Sequence, residues 1–175
     1  MATKASGRSA GRAARPASEP TGDPYDAAVR FLGPRPRSVS EIRRHLRSKR
    51  FDDAAIDRAI DGLRAQRYID DDAFARYWVE QRERFRPKGD RALVTELLQK
   101  GVARETIDVV LGERDPESEV KQARAALRRQ LTRWQMLSEG DRKRKIHAYL
   151  VQRGFSYDTI EEIIAHPEED DSPAT

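Results

Sequence analysis

With 175 residues, of which 37% are charged and 37% apolar, the chain has enough apolar groups for narrow helix stripes but not for several fully buried strands. It has no cysteine, which excludes disulfides and thiolate metal sites, and no apolar run of the roughly 18 residues needed to span a bilayer. The formal charge is +4 and unevenly spread: residues 1–24 hold four basic and two acidic groups and Glu168 to Asp171 are four consecutive acids, leaving +6 on the middle.

The first 22 residues are rich in Ala, Arg, Ser, Gly and Pro without an aromatic, a composition that cannot offset chain entropy, so residues 1–22 are expected to form a disordered basic tail. Their polar start also lacks the apolar segment of a secretory signal, and the expected location is cytoplasmic. Residues 23–67 are predicted to be a three-helix unit. Asp23-Pro24 places an N-cap acceptor before a proline at the first helical position, Ser38-x-x-Glu41 reads as a capping box, and Asp52 caps a third helix. Residues 70–112 form the second unit, opened by Asp70, with Phe74, Tyr77, Trp78 and Phe85 on one expected core stripe. The third unit, 115–166, starts at Asp115-Pro116, carries the stripe Val120, Leu127, Leu131 and Trp134, and has Ser156 as a further cap. Pro167 stops the last helix, and 167–175 are expected to be a disordered acidic tail.

An internal repeat ties these units together. Adding 51 to Ile42, Leu46, Phe51, Ile56 and Ile60 reaches Leu93, Leu97, Val102, Ile107 and Leu111, and adding 53 more reaches Ile146, Leu150, Phe155, Ile160 and Ile164. All of these positions are apolar, with helical spacing on either side of a short turn. Gly101 and Gly154 occupy that turn, where a left-handed residue closes a helix; Arg50 stands there in the first unit, so its turn is either built differently or strained by roughly 1 kcal/mol. A three-helix unit of this size buries too little alone, so the expected fold is all-α, an elongated, curved array of three tandem three-helix units that support one another.

Reactive constellations are thin. His45, His147 and His166 lack metal-ligand spacing and read as surface groups. Asp70-Asp71-Asp72 suits a helix N-terminus better than a magnesium site. Both glycine-rich phosphate-binding motifs are absent, and no cofactor, metal or catalytic residue is predicted. Lys49, Lys100 and Arg153 recur near the ends of the middle helices, where cations complement the helix dipole; a binding role is the other reading.

The densest charge lies between Lys121 and Lys145, where Arg124, Arg128, Arg129, Arg133, Arg142, Lys143, Arg144 and Lys145 join Lys121 against only Glu139 and Asp141. These eight residues, Arg124 to Lys145, are the candidate contacts for a filament or DNA, weighed equally against an ordinary solvated face. Aromatic residues nearby belong mostly to core stripes, so base stacking has no separate support.

Residues Ile69-Asp70-Asp71-Asp72-Ala73-Phe74-Ala75-Arg76-Tyr77-Trp78-Val79 and the later segment Gly89-x-x-x-Leu93-x-x-Glu96-Leu97-x-x-Lys100-Gly101-Val102 look familiar as a pair. The first resembles the Ile-Asp-Asp-x-x-Phe-Ala-x-x-Trp-Val signature of the RecX family of recombinase regulators, with a third aspartate at its first variable position, and the second resembles the motif that follows it. The resemblance covers about residues 25–165 and departs from the family's glycine at Arg50. It implies three tandem three-helix modules. It also implies a non-enzymatic regulator that binds the RecA filament on single-stranded DNA, lies in its helical groove, and inhibits its recombinase, ATPase and coprotease activities. That role belongs to DNA repair, recombination and the SOS response. The alternative from the charge alone is a helical protein that binds DNA directly through a basic face, without RecA.

Overall fold

The computed structural model describes residues 22–33 and 35–166; the expected tails, apart from Gly22, lie outside them. The described residues form nine helices and no strand: α1 (Pro24–Leu32), α2 (Val39–Ser48), α3 (Asp53–Ala65), α4 (Asp71–Phe85), α5 (Asp90–Gln99), α6 (Arg104–Gly112), α7 (Ser118–Trp134), α8 (Glu139–Gln152) and α9 (Tyr157–Ala165). They pack as α1–α3, α4–α6 and α7–α9, each set around its own core.

Most helix starts follow from local chemistry. Asp23, Asp52, Asp70 and Ser156 accept backbone N–H bonds at the starts of α1, α3, α4 and α9, and Ser38 and Glu41 form the expected capping box at α2. The start of α7 differs. Asp115 accepts from the Glu117 N–H at 3.0 Å, but residues 116–117 make a turn, and the helix begins two residues after the proline. An Asx turn has replaced a proline-opened first turn.

The repeat positions are the core. Thirteen of the fifteen are buried, from Ile42 to Ile160, while Leu111 and Ile164 are only half-buried. In the first unit Ile60 sits inside the long α3, whereas Leu111 and Ile164 are the penultimate residues of α6 and α9, and the preceding Val110 and Ile163 fill the interior instead. Phe85 is a second departure. Expected on the α4 core stripe, it is the last residue of the helix, beyond the buried Phe74, Ala75 and Val79, and is 64% exposed.

The three hairpin turns are built alike. The N–H groups of Phe51, Val102 and Phe155 reach back to the carbonyls of Leu46, Leu97 and Leu150, a Schellman pattern around residues with φ of 68° at Arg50, 79° at Gly101 and 78° at Gly154. Arg50 therefore adopts the glycine conformation with a side chain attached.

Candidate functional site

The family-like motifs hold the second unit together and reach from it to its neighbours. Trp78 Nε1 and Arg82 Nε donate to Glu96 at 2.8 and 2.7 Å, and Lys88 joins them, which fastens α4 to α5. Burial pushes the Glu96 carboxyl up, and these three donors outweigh it, leaving the group below its ordinary value. The Trp78 ring lies within 4.6 Å of the Arg82 guanidinium and 4.7 Å of the Lys100 ammonium. Lys100 then crosses to the first unit, pairing with Glu41 at 2.7 Å, while the Ser38 hydroxyl donates to the Lys100 carbonyl at 2.6 Å.

The same joint recurs between the second and third units. The Gly89 N–H donates to the Arg153 carbonyl at 3.1 Å, and the Arg153 guanidinium to the Pro87 carbonyl at 3.2 Å. In both joints an acid from the first helix of one unit accepts the free N–H that opens the middle helix of the unit before it: Val39 N–H to Asp71 at 2.9 Å, and Asp90 N–H to Glu119 at 3.0 Å. Thus Lys100 and Arg153 act between units, beyond the helix-dipole role expected of them. The three aspartates divide the work, Asp70 capping α4, Asp71 bridging units and Asp72 pairing with Arg76 at 2.7 Å. Among the described residues no cluster of three metal-ligating side chains forms.

The second joint also holds a groove. The end of α4 and the loop after it, α7, and the end of α8 enclose about 420 Å³ lined by Arg84, Phe85, Arg86, Arg128, Arg129 and Arg153. Glu83 lies there too, paired with Arg114 at 2.7 Å. No ion pair engages Arg84, Arg86, Arg128 or Arg129 among the described residues.

The expected basic patch is thus divided. Arg128 and Arg129 face the groove, and Arg133 is exposed one turn farther along α7. Arg124 donates to the His166 carbonyl at 2.9 Å. On α8, Lys143 and Arg144 pair with Glu139 and Asp141 at 2.7 and 2.6 Å, Arg142 is half-buried, and Lys145 is exposed. Arg84, Phe85 and Arg86 were missed because Phe85 reads as core in the helical period; the arginine-rich run from Arg82 to Arg86 was the available signal. Among the histidines, His45 departs from a surface role. It stacks on Phe31 at 3.9 Å, and burial first, then the nearby Lys49 and Arg37 charges, lower its proton affinity.

Sequence models for the first, second and third three-helix domains of RecX match residues 25–63, 70–111 and 117–164. The regulatory protein RecX of Chlorobium phaeobacteroides is 33% identical over 80% of this chain and 90% of its own length; that of Mycobacterium leprae is 35% identical over 78% and 80%. The relative from Geobacillus thermodenitrificans, 32% identical, is longer, and the match spans 57% of it. The crystal structure of RecX from Lactobacillus salivarius superposes with a TM-score of 0.74 at 25% identity, over 81% of this chain and 92% of that one. With its three units matched in order and relatives about a third identical over most of its length, this chain belongs to the RecX family of regulatory proteins.

Proposed function

We propose that this protein binds the RecA filament on single-stranded DNA and inhibits its recombinase, ATPase and coprotease activities, with no chemical step of its own. The observation that carries the reading is the end-to-end coupling of three separately cored units through repeated joints. An array of coupled units can touch several subunits of a helical filament at once, so that weak contacts add through effective concentration. Such a protein works in the cytoplasm, in DNA repair and recombination and in control of the SOS response.

The test is RecA strand exchange titrated with purified protein, beside a titration of the protein on DNA alone. Inhibition at substoichiometric ratios to RecA supports filament regulation. Inhibition only at concentrations that coat the DNA supports the direct DNA-binding alternative, for which the unpaired arginines of the groove speak.

A further inference from the structure

We propose that the groove between the second and third units is a binding site for one stretch of single-stranded nucleic acid, with Phe85 as the stacking platform and Arg84, Arg86, Arg128 and Arg129 as phosphate contacts. The inference deepens the filament reading, since it gives the protein its own hold on the strand.

Three observations carry it. Phe85 ends α4 at 64% exposure, an aromatic face that the core leaves uncovered, and the Arg84 guanidinium lies 5.1 Å from its ring centre. Four arginines without an ion-pair partner among the described residues surround it, two from the end of α4 and the loop that follows, two from α7. The one carboxylate among the described residues that line the groove, Glu83, is already held by Arg114 through two nitrogens at 3.0 and 2.7 Å, so it does not cancel the field.

The choice of a nucleic-acid strand over an acidic peptide follows from the aromatic group. Carboxylates alone are served by arginines, whereas an exposed ring among guanidinium groups matches alternating bases and phosphates. Arg153 is built into the wall, held by the Pro87 carbonyl and 4.5 Å from the Tyr149 ring, so the groove is shaped before a ligand enters.

The test is binding of fluorescein-labelled oligo(dT) to the full chain across a salt series, with polyglutamate of matched charge as the second probe. Arg128→Gln with Arg129→Gln should weaken oligo(dT) binding roughly ten-fold at low salt and flatten the salt slope. Phe85→Leu should weaken it about five-fold or more with the slope unchanged, a signature that loss of charge does not give. Each variant is checked for the parent's melting curve, and Phe85→Tyr should restore affinity. If the variants bind oligo(dT) like the parent, or if the parent prefers polyglutamate and Phe85→Leu is silent, the proposal fails. RecA inhibition measured on the same variants separates the readings: a parent that inhibits RecA substoichiometrically yet ignores oligo(dT) overturns this site and leaves filament regulation standing.

Discussion

Arg50, Gly101 and Gly154 hold one backbone conformation and differ in what stands above them. A Cβ at Gly101 would lie 2.3 Å from the Ser40 Cβ, and one at Gly154 would lie 2.6 Å from the Ala92 Cβ, because the preceding unit docks on each turn. Arg50 is exposed with its side chain in place, so at that turn a side chain costs only left-handed backbone strain. Gly101→Ala should therefore lower stability by about 2–4 kcal/mol, adding overpacking to the backbone term. Arg50→Gly should gain less than about 1 kcal/mol, since relief of strain is offset by the chain entropy of glycine. Urea midpoints at unchanged slope measure both, and equal responses at the two positions would contradict the docking account. Leu97, fully buried at the centre of the second core, should cost about 2–5 kcal/mol when replaced by alanine, read from the same denaturation curves.

At the scale of helices, what was legible was what each segment decides alone. Asp23, Ser38, Asp52, Asp70 and Ser156 cap helices through their own neighbours, and the apolar period of Ile42 or Leu93 needs only one turn of chain to be seen. Asp71 and Glu119 were not legible, because the N–H groups they accept belong to a different unit, 32 and 29 residues away in the chain. The groove was hidden for the same reason: Arg84 and Arg129 meet only once the second and third units are joined. These joints predict a response to acid. Burial raises the Glu119 carboxyl and the Ser156 hydroxyl, the Asp90 N–H and the Thr159 hydroxyl more than reverse it, so its folded value lies below the ordinary one. The depressed value means that Glu119 stabilises the fold above its unfolded pKa of about 4.3, and that this contribution is lost as pH falls through the folded value. Asp71 and Asp90, raised by burial, run in the opposite sense and partly mask the loss. Glu119→Gln should be less stable than the parent at neutral pH and show a shallower decline into acid, checked by denaturant midpoints between neutral pH and the acid limb.

For the whole molecule, three small cores joined by a few polar contacts raise the question of whether spacing between units matters to the work. Contacts that add along a filament do so only when the separation of the binding surfaces matches the separation of the filament's subunits. The second joint depends on close approach, with Ala92 against Gly154 and Gly89 against the Gly154 carbonyl and the Phe155 backbone. Ala92→Leu places extra volume at that contact without altering any buried core residue or any groove arginine, and without demanding a new backbone conformation. Its cost in stability should be about 1–3 kcal/mol, the range for overpacking. Its cost in inhibition should be larger in proportion, because displacing the third unit from the second withdraws one set of contacts from register. Several-fold more protein should then be needed to halt strand exchange under conditions where circular dichroism shows the helices still folded. Parent-like inhibition by a folded Ala92→Leu protein would mean that the units act through independent contacts, and that the joints serve stability alone.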